Sequence, residues 1–332
     1  MANVRRITGD LDGAVAVGRQ ACELAAEIGE SSLQVQASLS LGLVYHAIGD
    51  FGRAAELLHR TMEVADRGAG TSSRGLWIES RALLARTLSA LGGFAEGQHH
   101  GEEALRLATL EGRGSTPITV HYCLGFLYLA KGDLEHAIQV FDQGLALCRA
   151  SGNRTWLRPI AAGLGSASAL QGRLAEGRAL LEEAISESIR TGGLLGLAPR
   201  VAWLSEVCRL AGRGEEAWQY ARQALDLARQ QQACGDEALA LCQLGVVQAH
   251  ADPPDTAQAE SHYQQALALA DELGMRPLQA HCHLGLGTLY ATTSQSEQAR
   301  TELSTAIAMY TSMEMMFWLP QAQAVLAQVE GR

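Results

Sequence analysis

The stretch Leu124–Gly144, which reads LGFLYLAKGDLEHAIQVFDQG, decides the fold. Apolar residues recur in it at the three- and four-residue spacing of helices, on both sides of the pair Gly132-Asp133. Glycine adopts the left-handed conformation that follows a helix end at little cost, so this pair predicts a tight turn. The stretch therefore predicts a helical hairpin, with Leu124 in its first helix and Phe141 in its second.

The hairpin pattern recurs along the whole chain of 332 residues. Each copy contains a leucine that is usually followed by a small residue, and successive leucines are about 40 residues apart. An internal period of this length indicates stacked repeats, each of which is one small structural unit. The seven leucines are Leu41, Leu84, Leu124, Leu164, Leu204, Leu244 and Leu286.

The predicted second helix of each unit carries small residues at fixed positions, with a bulky residue such as Phe141 or Leu181 following in most units. Small residues allow two helix axes to approach to about 8–10 Å, and the bulky residue fills the space towards the neighbouring hairpin. We therefore expect each hairpin to cover its apolar face with the next hairpin along the chain. The first small residues of the seven units are Ala54, Gly97, Ala137, Gly177, Ala217, Ala259 and Ala299.

These elements resemble the tetratricopeptide repeat family. The first helix shows the family's L-G-x-x-Y element at Leu124–Tyr128, and the second shows A-x-x-x-L-x-x-A at Ala299–Ala306. The period is about 40 rather than 34 residues, and the family's early tryptophan is missing from all units. HEAT-like and other α-solenoids are the alternative, although they lack this fixed spacing of small residues. The resemblance implies an all-α superhelix of helix hairpins, whose first helices line a concave groove.

We predict a single solenoid over residues 1–332. The chain starts and stops in the middle of a unit, so either the terminal helices cap the stack or the chain is a piece of something longer. The predicted segments are a half repeat at 10–29, repeats near 31–68, 73–112, 116–151, 155–191, 195–233, 236–273 and 277–315, and a terminal helix at 317–330.

Composition excludes several classes of protein. The formal net charge is −10 and no basic cluster offsets it, which argues against nucleic-acid binding and against an anionic membrane surface. Lys131 is the only lysine and follows no glycine-rich turn, so the chain contains no P-loop and no ordinary kinase site. There is no apolar run long enough to span a bilayer and no signal peptide. Seven cysteines without a CxxC pair favour a reducing cytoplasm.

We expect no catalytic, cofactor or metal site. Residues two apart on a helix point roughly 200° apart, so His281 and His283 cannot chelate one ion, and we expect His281 to face the groove. We expect His99 and His100 to be solvated. Ser166 lacks the trailing glycine of a nucleophile elbow and lies in the repeat's own leucine-glycine element. The chain is therefore predicted not to be an enzyme.

The concave groove is the predicted binding site. In the resembled family its exposed positions lie five and two residues before, and two and five residues after, the leucine of each unit. Tyrosine and arginine are typical interface anchors, although Tyr122 and Phe126 could instead only pack against the neighbouring hairpin. The asparagine-lysine clamp of chaperone-tail-binding relatives is absent from these positions. The candidate partner-binding residues are Glu79, Arg86, Tyr122, Phe126, Glu206, Arg209 and His281.

The C-terminal stretch 272–320 resembles the tail of large bacterial signalling proteins, which carry a nucleotide cyclase or a LuxR-type DNA-binding head, a regulatory ATPase and a tetratricopeptide tail. The resemblance implies a sensing or docking arm that binds a protein or peptide, next to an attached ATPase or cyclase. A small-ligand sensor, which would bind an inducer, is the alternative function. A deep apolar pocket near Tyr122 and Phe126 would favour the sensor, and an open groove would count against it.

Overall fold

The computed structural model describes residues 11–68, 74–111 and 114–331. This part of the chain forms sixteen α-helices and contains no β-strand. The predicted repeat ends at residues 10, 73 and 112 lie outside the described residues. The helices are α1 Leu11–Ile28, α2 Ser31–Ile48, α3 Phe51–Gly68, α4 Arg74–Leu91, α5 Phe94–Glu111, α6 Thr116–Lys131, α7 Leu134–Ser151, α8 Arg154–Leu170, α9 Leu174–Arg190, α10 Leu197–Leu210, α11 Gly214–Gln230, α12 Cys234–Ala249, α13 Thr256–Glu272, α14 Arg276–Thr292, α15 Ser296–Ser312 and α16 Leu319–Glu330.

Seven consecutive hairpins, here called units 1 to 7, run from α2–α3 to α14–α15. Helix α1 packs on α2, and α16 packs on α15, so among the described residues one single helix lies at each end of the stack. Each unit packs on the next, and the first helices of neighbouring units also contact one another. The predicted all-α solenoid of helix hairpins is confirmed. Within the described ranges, no helix is long and apolar enough to cross a membrane.

The turn inside unit 3 shows how a hairpin is closed. Gly132 has a φ angle of 85°, in the left-handed region that favours glycine. Its N–H donates to the carbonyl of Leu129, and the N–H of Asp133 donates to that of Tyr128, which satisfies the end of α6. The Asp133 carboxylate then accepts from the backbone N–H of His136 and caps α7. The predicted turn therefore ends one helix and begins the next.

Bulky residues on the second helices fill the space between units. Phe141 on α7 is fully buried between two glycines of successive first helices. A Cβ atom on Gly125 would lie 2.5 Å from Phe141 Cε1, and one on Gly163 would lie 2.4 Å from Phe141 Cζ. Tyr263 on α13 is buried in the same way between glycines of units 6 and 7. The glycines are therefore needed as space for the rings.

Units that are five apart along the chain also touch. A Cβ atom on Gly49, in the turn of unit 1, would lie 3.0 Å from the backbone nitrogen of Gly235, at the start of unit 6. A Cβ atom on Gly92, in the turn of unit 2, would lie 2.5 Å from Met313 Sδ, at the end of unit 7. The offset is the same in both places, so about five units complete one superhelical turn.

A third contact of this kind joins unit 3 to the C-terminal end of the solenoid. Lys131 Nζ lies 3.1 Å from Glu314 Oε2. A Cβ atom on Gly132 would lie 3.0 Å from Trp318 Nε1, just before α16. These long-range contacts occur in addition to the predicted packing of each hairpin on the next one along the chain. The winding arises from the rotation between successive units, which the pattern within one unit does not encode.

Candidate functional site

A cavity of about 720 Å³ lies on the concave side, inside the first superhelical turn. Its wall is built from the first helices of units 1 to 6 and from the loop between α9 and α10. The charged residues of the wall come from four different helices and carry both signs. They are Glu79, Arg86, Arg158, Arg200 and Asp236.

Three of the seven predicted residues line this cavity: Glu79, Arg86 and Tyr122. The prediction that the concave positions are exposed was wrong for the position two residues before each unit leucine. The residue at this position is buried in every unit except the third, where Tyr122 is half-buried. First helices of neighbouring units contact each other, and the buried residues at these positions all belong to clusters of packed apolar side chains. The buried residues at this position are Leu39, Ala82, Ala162, Ala202, Cys242 and Leu284.

Arg86 lies against the aromatic side chains of unit 3. Its guanidinium carbon is 4.4 Å from the centre of the Tyr122 ring and 5.2 Å from that of Phe126. A guanidinium N–H also donates to the Tyr122 hydroxyl. A cation at this distance from a ring face is attracted by the negative face of the π system. The contacts therefore hold Arg86 at the cavity wall.

The two aromatic residues of α6 have different surroundings. The Phe126 ring stacks on Trp203 of unit 5 at 5.4 Å and contacts Phe141 at 5.0 Å. The Tyr122 ring contacts Phe126 at 5.0 Å and Trp156 at 4.8 Å, and also lines the cavity. Phe126 thus packs on Phe141 and Trp203 and is not among the residues that line the cavity, whereas Tyr122 packs and also faces the cavity.

Arg200 is held in place by neutral oxygen atoms. It is buried, and it donates to Ser188 Oγ at 3.0 Å and to the carbonyl of Leu195 at 3.2 Å. Burial lowers the pKa of Arg200 to about 10, which leaves it charged at neutral pH. The cavity wall therefore contains a buried cation that donates hydrogen bonds to two neutral oxygen atoms.

The carboxyl groups in the wall are poorly solvated. Burial raises the pKa of Asp236 to about 6, although the positive charges of Arg86 and Arg200 act in the opposite direction. Burial also raises the pKa of Glu79, against a hydrogen bond that its carboxylate accepts from Thr116 Oγ1 at 2.8 Å. Loss of hydration is therefore the larger effect on both carboxyls.

The raised pKa of Asp236 predicts a pH-dependent cost to stability. The folded protein holds the proton more tightly than the unfolded chain, whose aspartate titrates near 3.8, so this stability is present below pH 3.8 and is lost as pH rises through about 6. Asp236→Asn should therefore raise the free energy of unfolding at pH 7.5 by about 1–3 kcal/mol, with little effect at pH 4. Urea unfolding of both proteins at both pH values measures this. A difference that does not change with pH would contradict the assignment.

Glu206 and Arg209 form a second cluster, outside the cavity wall. Arg209 Nη2 lies 2.7 Å from Glu206 Oε1, and Gln243 Nε2 donates to Glu206 Oε2 at 3.4 Å. His281 lies on α14, the first helix of unit 7. Its Nδ1 is 2.8 Å from the Tyr310 hydroxyl oxygen, and burial lowers its pKa to about 4. The His281 ring also contacts Trp318, in the segment before α16, at 4.8 Å.

Sequence reasoning missed three charged residues of the wall. Arg158, Arg200 and Asp236 lie near the starts of α8, α10 and α12, four to eight residues before the unit leucines. The predicted concave positions began five residues before each unit leucine and did not include the position four residues before it. Their charge could have indicated these three residues, because each interrupts a first helix that is otherwise largely apolar. The inner wall thus also uses the N-terminal ends of the first helices.

Comparison with known proteins agrees with this architecture. Tetratricopeptide repeat families match residues 37–70 and 118–151, so the chain contains tetratricopeptide repeats. The repeats and the stacked hairpins together define a tetratricopeptide-like solenoid. A search of curated protein sequences finds no match.

Several solved structures share the fold. The Rap conjugation gene regulator of plasmid pLS20, in complex with the Phr* peptide, has 16% identity and a TM-score of 0.66, over 86% of this chain and 76% of that one. NprR in complex with its cognate peptide NprX has 13% identity and a TM-score of 0.63, over 99% and 96%. A signal transduction ATPase with a tetratricopeptide repeat sensor, from Pyrococcus horikoshii, has 14% identity and a TM-score of 0.54, over 83% and 43%. Such low identities show the fold alone.

Proposed function

We propose that this protein is a non-catalytic binding module that holds a short peptide in the cavity of its first superhelical turn. The observation that carries the proposal is the wall itself, in which first helices of successive units direct both positive and negative side chains into one space. Two solved structures with this fold, the Rap regulator and NprR, contain peptides. Their likeness supports a peptide as the ligand.

The charges of the wall suit a peptide with free termini. Arg158 and Arg200 offer N–H donors to a carboxylate, whereas Asp236 offers an acceptor to an ammonium group. Glu79, Arg86 and Tyr122 complete the proposed contacts, and Phe126 supports Tyr122 from behind. Glu206, Arg209 and His281 are not assigned to this ligand. Because burial disfavours the ionised form of both carboxyls, the terminal carboxylate of the peptide should bind more strongly than its amine.

Binding of a synthetic library of short peptides with free carboxyl termini tests the proposal. Trp156 contacts Tyr122 at the wall, so tryptophan fluorescence should report occupancy. Arg158→Ala should weaken binding of the selected peptide at least about tenfold, since a hydrogen bond to a charged group contributes about 1.5–3 kcal/mol. Amidation of the peptide's carboxyl terminus should cause a similar loss with the wild-type protein.

Arg213→Ala is the matched control. Arg213 is exposed, lies in the turn of unit 5 and pairs with Glu216, so its removal should leave binding unchanged. The proposal is wrong if no peptide binds, or if the Arg158 and Arg213 variants bind the peptide equally well.

A small-ligand sensor is the second candidate function. The cavity volume of about 720 Å³ lies within the range of about 300–1,000 Å³ that is typical of small-molecule sites. An apolar inducer fits less well, because arginines and carboxyls share the wall with the apolar side chains. Native mass spectrometry of the protein purified from its own cells distinguishes the two, since a bound small molecule and a bound peptide differ in mass and fragmentation.

We also propose that the module serves as the sensing or docking arm of a larger bacterial cytoplasmic signalling protein, with an attached ATPase or cyclase. The similar ATPase with a tetratricopeptide sensor supports this arrangement, as does the resemblance of the stretch 272–320. Seven cysteines without a disulfide fit a reducing cytoplasm. The genomic DNA directly upstream of the codon for Met1 is the test. An open reading frame that continues in frame into an ATPase is expected, and a stop codon with a separate promoter would contradict the proposal.

A further inference from the structure

A cluster of three potential metal ligands lies on the second helices of units 1 and 2, away from the cavity. His59 belongs to α3, and Glu96 and His100 belong to α5. His59 Nε2 is 3.2 Å from Glu96 Oε1, and His100 Nε2 is 3.7 Å from the same oxygen. All three ligand atoms lie within 4.8 Å of one another. The arrangement thus joins two units through one carboxylate and two imidazoles.

The distances match those between ligands on one tetrahedral ion. Zinc lies about 2.0–2.2 Å from histidine nitrogen and carboxylate oxygen, which places two ligands of a tetrahedral site roughly 3.3–3.6 Å apart. The two contacts of Glu96, at 3.2 and 3.7 Å, are already close to that spacing. His59 is 41% exposed and Glu96 is 50% exposed, so small rotations of their side chains can bring the remaining pair together.

The fold presents the three groups in a fixed way. Glu96 and His100 are four residues apart on α5 and therefore share one face of that helix. The His100 side chain is only 13% exposed, and its Nδ1 is buried without a hydrogen-bond partner, so Nε2 is the nitrogen left to face a ligand. The stacking of unit 1 on unit 2 places the His59 ring 6.0 Å from the His100 ring. The expectation that His100 is solvated was therefore wrong, whereas His99 is exposed.

Charges of both signs lie near the cluster. Arg81 repels a cation, and the carboxylate of Glu96, which lies between the two histidines, offsets that repulsion.

We propose that His59, Glu96 and His100 bind one Zn²⁺ ion, with its fourth position open to water. Two nitrogens and one oxygen are a ligand set that zinc uses in proteins, whereas magnesium and calcium prefer oxygen ligands throughout. The bound ion would connect α3 to α5 and so fasten the first unit to the second. This site is independent of the proposed peptide cavity.

Titration of the whole protein with zinc chloride, after treatment with EDTA and its removal, tests the proposal. Isothermal titration calorimetry should show one ion per chain, and zinc should raise the melting temperature. His59→Gln and His100→Gln should each weaken zinc binding at least about tenfold, because loss even of a residue that only orients a metal ligand costs about 10–100-fold. His99→Gln is the matched control, since His99 is the exposed neighbour on the same helix, and it should bind as the wild type does.

Substitution of cobalt for zinc identifies the ligands. Tetrahedral cobalt bound by nitrogen and oxygen should show visible d–d bands without the thiolate charge-transfer band that Cys22 or Cys234 would give. The proposal is overturned if zinc does not bind, if binding persists in the His59→Gln variant, or if the thiolate band appears. His59 is well exposed, so the His59→Gln variant should fold. It still tests the proposal if the His100→Gln variant does not fold.

Discussion

Phe141→Ala is expected to lower the free energy of unfolding by about 3–5 kcal/mol, the usual cost of removing a buried phenylalanine. The Phe141 ring is fully buried between Gly125 of its own unit and Gly163 of the next. Glycine has no side chain that could move into the space, so the cavity left by the ring should persist. Urea unfolding followed by circular dichroism measures the loss.

Phe317→Ala is the matched control for this prediction. Phe317 is 42% exposed, so the same chemical change should cost less than about 1 kcal/mol. Similar losses for the two variants would mean that Phe141 does not fill the junction between units 3 and 4.

Gly177→Ala is expected to destabilise the protein by about 1–3 kcal/mol, although alanine normally favours a helix over glycine by about 1 kcal/mol. A Cβ atom on Gly177 would lie 2.4 Å from the carbonyl oxygen of Gly165 and 2.8 Å from the Cβ of Ala169. These are backbone and near-backbone atoms, so helices α8 and α9 would have to separate. Thermal and urea unfolding should both show the loss.

Gly214→Ala provides the contrast. Gly214 begins α11, and a Cβ atom there would have no atom outside its own helix within 4 Å. Alanine at this position should be neutral or stabilising, as expected from helix propensity alone. If both substitutions stabilise the protein, the close approach of α8 and α9 at Gly177 is refuted.

The repeat unit could be predicted from sequence because its determinants are local. Helix periodicity, a glycine turn and small residues at fixed positions all act within about 40 residues, and every unit repeats them. The bulky residues Leu58, Phe141 and Leu181 are fully buried, as the spacing predicted. The all-α solenoid follows directly from that repetition.

The curvature of the stack could not be predicted in the same way. It depends on the rotation between neighbouring units, which adds up to a full turn over about five of them. The contact of Gly49 with Gly235 results from that accumulated rotation. The residue pattern within one unit does not encode the rotation between units.

The candidate site was predicted in part for the same reason. Glu79, Arg86 and Tyr122 lie on first helices at positions that any concave surface would present, and they line the cavity. Arg200 and Asp236 line it because the tight winding brings the starts of later helices around the same space. The approach of His59 to His100 likewise depends on how two units stack, since 41 residues separate them in the chain.

The solenoid completes one turn in about five units, so that unit 3 meets the segment just before α16. Lys131 is the only lysine of the chain, and its Nζ lies 3.1 Å from Oε2 of the exposed Glu314. Carbodiimide treatment of the monomer, followed by mass spectrometry of its peptides, is therefore the most direct measurement. An intramolecular amide between Lys131 and Glu314 is predicted, and it should disappear in Glu314→Gln. If Lys131 forms crosslinks only to carboxylates of its own and adjacent units, the contact between unit 3 and the C-terminal segment is contradicted.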